Sequence, residues 1–284
     1  MSSTSFRQRL ARPIFIVSSP RSGSTLLFET LARAPGLFTI GGESHRTIEG
    51  VPAFSVPARG WTSNQLEAID ARPEPVEQLA EAFYTALRDR AGQPPPGAAR
   101  LLEKTPKNAL RVPFFDAAWP DSTFVFLYRD ARQTIASMIE AWQSGHFRTY
   151  PRLPGWSGPQ WSMLLVPGWR SLDGLPLVEV IARQWAITMD ILLDDLAALP
   201  ANRVVALDYD AFLTDPPAEI ERLARRLDLD WDEPLGAELP LSVTTLSKPA
   251  ADKWRRHEAV IESIWPIVEA IDDRARTFAT ARGG

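Results

Sequence analysis

Residues Ile14–Leu27 read IFIVSSPRSGSTLL, a short apolar run that passes directly into a Pro-Arg-Ser-Gly-Ser-Thr turn and a second apolar run. No other stretch constrains the fold as much. A buried strand feeding a helix through a Gly-containing turn belongs in a sheet covered by helices. The turn also has the composition of a phosphate cradle. Main-chain N–H groups at a helix start, the hydroxyls of Ser24 and Thr25 and the guanidinium of Arg21 converge where Gly23 lets an anion approach the backbone. Arg21, Ser22, Gly23, Ser24 and Thr25 are therefore the first anion-binding candidates; an ordinary Ser/Gly helix cap would use the same residue types.

The nucleotide-triphosphate loop G-x-x-x-x-G-K-[ST] makes a useful contrast. Aligning its last Gly with Gly23 puts Ser18 at its first Gly, Ser24 at its Lys and Thr25 at its metal-binding hydroxyl. Without the Lys the usual grip on β- and γ-phosphates is lost, while Arg21 offers a planar fork for a different oxyanion. A kinase or nucleotide hydrolase binding ATP with Mg²⁺ stays open as an alternative.

Further along, strands are expected at Leu37–Ile40, Leu101–Glu103, Thr123–Tyr128 and Val204–Asp208. Helices are expected at 24–34, 74–90, 131–142, 177–199 and 217–227. Strands separated by helical segments predict an α/β fold with a mostly parallel central sheet flanked by helices, a three-layer, P-loop-like architecture. Ligands in such sheets sit beyond the carboxyl ends of the strands, where the Pro20–Thr25 turn, Arg129 and Tyr209 all fall. The 284 residues, 45% of them apolar, suit one domain over 1–284. Within it, a Trp/Gly/Pro-rich segment at about 143–175 reads as a lid-like insertion. Trp142, Trp156, Trp161 and Trp169 give that stretch an apolar character suited to a hydrophobic acceptor, or else they pack it against the body.

A net charge of −4 provides no global basic field for nucleic acid. Cysteine is absent, and His45, His146 and His257 lack ligand spacing, so no metal is indicated. The apolar run after Arg7, Arg9 and Arg12 is far shorter than the roughly 18 residues a membrane span needs, so a soluble, cytoplasmic protein without a membrane anchor is expected. Only four of the 31 basic residues are Lys, at Lys104, Lys107, Lys248 and Lys253, which suggests positions needing a compact charge.

A second anchor follows the strongest strand. Arg129 closes TFVFLYR, and Ser137 lies eight residues later, about two helical turns into the next segment. A third is VVALDYDAF with Asp215-Pro216 after it. In this order the segments resemble the sulfotransferases that use 3′-phosphoadenosine 5′-phosphosulfate (PAPS). The Pro-Arg-Ser-Gly turn resembles the 5′-phosphosulfate loop, in the form of the tyrosylprotein and bacterial branches, since the cytosolic aryl and steroid enzymes carry Lys where Arg21 stands. By that resemblance Arg129 and Ser137 hold the 3′-phosphate and Tyr209 lies against the nucleotide. The Ser247-Lys248-Pro249 to Lys253-Trp254 stretch stands near the family's C-terminal loop, which makes Lys253 a further nucleotide-binding candidate. PAPS is then the co-substrate, adenosine 3′,5′-bisphosphate (PAP) the product, and no metal takes part. Golgi members are typically anchored, so the short apolar run argues for a bacterial-type enzyme or an excised domain.

Sulfuryl transfer needs a base for the acceptor's proton and positive charge for the departing oxygen. The cytosolic branch has a catalytic His in a Lys-Thr-His segment; here Lys104-Thr105-Pro106 puts Pro106 there. Glu43, in Gly-Gly-Glu-Ser-His, resembles the tyrosylprotein enzymes' Gly-Glu-Glu segment and is the first candidate base. Its pKa is expected to be raised by desolvation when acceptor and lid close over it. His45 is second and Glu103 third; Arg21 and Lys104 are the candidates to stabilise charge, although Lys104 and Glu103 can equally pair with each other. The acceptor is expected to be an apolar small molecule or a carrier-bound polyketide-like chain, with carbohydrate and peptide hydroxyls as alternatives.

Overall fold

A computed structural model describes residues 4–236, 239–240 and 252–283. Its centre is a five-stranded sheet in the order β2-β3-β1-β4-β7, every pairing parallel. These strands are β1 (Ile14–Val17), β2 (Leu37–Phe38), β3 (Arg100–Lys104), β4 (Thr123–Tyr128) and β7 (Val204–Asp208). A separate antiparallel pair is formed by β5 (Arg148–Tyr150) and β6 (Trp161–Ser162). The helices are α1 (Phe6–Arg9), α2 (Ser24–Leu31), α3 (His45–Glu49), α4 (Pro73–Ala86), α5 (Val112–Ala118), α6 (Ala131–Ser144), α7 (Leu177–Ala197), α8 (Tyr209–Thr214), α9 (Pro216–Leu227) and α10 (Glu258–Gly283).

The strands are mostly apolar because helices cover both faces, and their two-residue period sorts the side chains into two cores. Ile14, Ile16, Leu102, Val125, Leu127, Val205 and Leu207 pack with Leu27 and Leu31 of α2 and Ile220 and Leu223 of α9. Phe15, Val17, Leu101, Phe124, Phe126, Val204 and Ala206 point the other way, into the larger core built on α5, α6, α7 and α10. The expected three-layer α/β arrangement is the observed one.

The expected helices and strands are found with shifted ends, as at α2, which stops at Leu31, and β2, which is two residues long. No element was expected over 258–283. The structure has a long helix there that runs across Pro266, a residue that locally signals a break.

In the 143–175 segment, Trp161 and Trp169 are buried, and the Trp161 ring meets that of Trp142 of α6 edge to face at 5.6 Å between centroids and that of Trp169 at 6.0 Å. Trp142 donates from Nε1 to Gln184 of α7 at 3.1 Å. The rings therefore bind the segment to the body, as the second of the two sequence readings had it.

Candidate active site

Beyond the carboxyl ends of the strands lies a cavity of about 720 Å³. The loop between β1 and α2 forms one wall. Gly23 caps α2 with φ +92°, and Arg21, a non-glycine, is also left-handed at φ +69°. Gly23 adopts this conformation freely, but at Arg21 it carries backbone strain of the kind found at binding sites. Arg21, Gly23, Ser24 and Thr25 line the cavity. Ser22 does not: its buried hydroxyl lies 2.8 Å from that of Ser19 and braces the loop from inside. The space a Cβ would take at Gly23 is filled by the ring of Tyr209.

Tyr209 in turn carries the Arg129 guanidinium over its ring, 4.6 Å from the centroid. Arg129 donates from Nη1 to the carbonyl of Arg21 at 3.0 Å and from Nε and Nη2 to Gln133 Oε1 at 3.2 Å. Gln133 is tethered by Asp210 at 2.9 Å. Ser137, two turns along α6, accepts from Arg21 Nε at 3.3 Å. The two expected anion pockets are thus one continuous cationic wall. Burial and the charge of Arg129 lower the pKa of Arg21, whereas burial alone lowers that of Arg129, with nearby Tyr209, Asp210 and Asp130 opposing. Lys253 reaches the cavity edge and pairs with Glu140 of α6 at 2.6 Å, while Lys248 lies outside the described residues.

Opposite the loop, strand alternation separates two adjacent residues of β3. Lys104 points toward α2, where its ammonium lies 3.0 Å from Thr25 Oγ1 and 2.7 Å from Glu43 Oε1. Glu103 points to the other face, where it is fully buried and accepts from Ser44, Thr105 and Asn108. Glu103 is absent from the cavity wall, so neither its candidacy as base nor its pairing with Lys104 holds. His45 opens α3 with Nδ1 3.5 Å from Glu43 Oε2. Burial alone would raise the Glu43 pKa, but the hydrogen bond from His45 and the charge of Lys104 outweigh it and hold the carboxyl at about 2.

The remaining wall is mixed. Phe147, Tyr150, Met163 and Leu164 line it, and none of Trp142, Trp156, Trp161 and Trp169 does. At its base Lys107 pairs with Glu49 at 2.7 Å, and Arg111 reaches the same Glu49 oxygen at 3.0 Å. Sequence reasoning missed Gln133, Glu49 and Tyr150. Gln133 stands four residues after Arg129 in a helical run, a spacing at which side chains meet. Glu49 and Tyr150 carry no such local signal.

A profile of the sulfotransferase family matches residues 13–233. The chain belongs to the sulfotransferase family. Among its relatives, a candidate protein-tyrosine sulfotransferase of Caenorhabditis briggsae is 27% identical over 236 residues, covering 81% of this chain and 72% of that protein. Protein-tyrosine sulfotransferase A of Caenorhabditis elegans is 20% identical over 269 residues, 91% of this chain and 62% of that protein. The fold is shared with a sulfotransferase from Alicyclobacillus acidocaldarius, with a TM-score of 0.52 and 13% identity over 94% of this chain and 96% of that one. PAPS is the general donor of this family. This sulfotransferase has, among the described residues, no helix long and apolar enough to cross a membrane.

Proposed function

We propose that this chain moves a sulfuryl group from PAPS to a hydroxyl of an acceptor that enters along the Phe147, Tyr150, Met163 and Leu164 wall. The observation carrying the reading is the meeting of Arg21, Thr25, Lys104, Arg129 and Ser137 in one cavity with Glu43 across from the loop. Together with Ser24 these residues suit a doubly phosphorylated nucleotide: two guanidiniums, an ammonium, three hydroxyls and a helix N-terminus face the same space.

In this reading Arg129 and Ser137 hold the 3′-phosphate, with Lys253 at its edge. Arg21, Ser24 and Thr25 hold the 5′ end, and Tyr209 and Gly23 form the floor between. PAPS supplies the sulfuryl group and leaves as PAP: the sulfur–oxygen bond to its phosphate breaks as one to the acceptor oxygen forms. Lys104 and Arg21 stabilise the charge on the departing oxygen. Glu43 takes the acceptor's proton, with His45 beside it. An ionised carboxylate is in the form a base requires, and its low pKa comes from the pairing with His45 and Lys104. Negative charge at the loop that draws the Lys104 ammonium toward Thr25 raises the basicity of Glu43.

For the acceptor, the Phe147, Tyr150, Met163 and Leu164 wall supports a flat or apolar group carrying the hydroxyl, as a small molecule or the end of a carrier-bound chain. The similarity to protein-tyrosine sulfotransferases favours a second reading, a tyrosyl hydroxyl in a peptide. Thermal-shift titration should give stabilisation by PAP well above that by ATP with or without Mg²⁺. Labelled PAPS offered with simple phenols, aliphatic alcohols and a Tyr-containing peptide then separates the acceptors. Preferential stabilisation by Mg²⁺–ATP would overturn the donor assignment.

A further inference from the structure

Helix α10 lies beyond the residues that match the family profile, yet it holds the backbone around Arg129. Asp272 of this helix is fully buried. Its Oδ1 accepts from the Tyr128 hydroxyl and from the Ala131 main-chain N–H, both at 3.1 Å. Its Oδ2 accepts from Arg276 at 2.8 Å, and Arg276 also donates to the Tyr128 oxygen at 3.2 Å. Tyr128 is the last residue of β4 and Ala131 the first of α6. One carboxylate therefore grips the chain immediately before and shortly after Arg129.

The same C-terminal segment supports α6 at two further levels. The Arg132 guanidinium lies 3.5 Å from the centroid of Trp265 and 5.6 Å from that of Trp254, and Lys253 pairs with Glu140. Burying a carboxylate is costly unless hydrogen bonds compensate it. Here an unpaired N–H at the start of α6 is one of the donors, where the helix dipole favours an anion.

We propose that Asp272 is a positioning residue for Arg129, so that the C-terminal helix sets how strongly the site prefers a nucleotide bearing a 3′-phosphate. The inference rests on the assignment of Arg129 to that phosphate. The guanidinium has its own bonds to Gln133 and the Arg21 carbonyl, and the role of Asp272 is to hold the backbone from which the side chain reaches them. Small displacements of a charged, bidentate donor are expensive because its geometry is fixed.

The test is calorimetric titration of the full chain with PAP and with 5′-AMP, which lacks the 3′-phosphate. In Asp272→Asn the PAP-over-AMP affinity ratio should fall about tenfold, the scale of one charged hydrogen bond, while AMP affinity stays within about twofold. Tyr128→Phe, which keeps the Asp272–Ala131 bond, should lower the ratio about threefold and also decides the matter if Asp272→Asn does not fold. A merely structural role lowers the melting temperature and leaves the ratio at its wild-type value in both variants; that result overturns the proposal. A wild-type protein without preference for PAP over 5′-AMP instead overturns the assignment of Arg129, and this inference with it.

Discussion

Two Lys–Glu pairs stand side by side on the wall facing the phosphosulfate-type loop, each 2.7 Å long and each joining the EKTPK segment to the GGESHRTIE segment. In the first, Lys104 meets Glu43, whose carboxylate faces the cavity with His45 beside it and is held at about 2. In the second, Lys107 shares Glu49 with the fully buried Arg111, and the Lys107 pKa is shifted downward. Burial lowers it to about 8, with the charge of Arg111 adding to the effect and Glu49 only partly opposing. The same two residue types at the same distance thus give opposite results. What decides is how many charges share the carboxylate and how much solvent reaches it, and only the first pair also touches Thr25.

The largest expected effect tests that distinction directly. Glu43→Gln should cut turnover by about 10²–10⁴-fold, the usual range for removing a general base, while PAP affinity is retained. A comparable loss of turnover in Glu49→Gln, with folding intact, would erase the difference between the pairs. The next effect is on stability: Glu49→Gln leaves Lys107 and Arg111 without their shared counter-ion and should cost about 3 kcal/mol in denaturant unfolding. Glu43→Gln also leaves a buried ammonium, that of Lys104, without its carboxylate, and should cost less than Glu49→Gln because Glu43 is the more exposed of the two acids.

The pH responses sharpen the contrast further. Because the Lys107 pKa is lowered on folding, from 10.5 to about 8, the unfolded chain binds more protons between those values. The penalty of the buried ammonium is therefore present below pH 8 and is relieved as pH rises toward 10.5. The stability difference between Lys107→Met and the wild type should shift in favour of the wild type across that window, as melting curves will show. The smallest effect belongs to Glu43, whose pKa falls from 4.5 to about 2 on folding. Its contribution is complete above pH 4.5 and is lost as pH falls toward 2. The unfolding difference between wild type and Glu43→Gln should stay flat from pH 7 to 5 and narrow below. A difference that narrows already at pH 6 would mean that Glu43 is not held by Lys104 and His45.

Legibility in the sequence followed the range of the interactions. The β1–α2 turn was readable because strand, Gly and hydroxyls act within a dozen residues. Arg129 and Ser137 were readable because one helix spaces them. Lys104 and Glu103 were not separable by type, although the two-residue period of β3 sends them to opposite faces. The tryptophans of 143–175 were ambiguous, since a ring that packs a segment and one that faces an acceptor have the same composition. Glu43 was identified by resemblance, but its lowered pKa depends on a lysine 61 positions away.

Sequence alone determined the alternation of apolar strands and helices, the left-handed glycine turn that starts α2 and the two anchors that mark the family, because these depend on local backbone preferences and regular period. Tertiary structure decided which carboxylate shares the cavity with Lys104, that Tyr209 fills the space beside Gly23, and that Asp272 holds Tyr128 across 144 residues. Those contacts follow from sheet order and from the cost of leaving a buried charge unpaired, and both depend on the whole chain being folded.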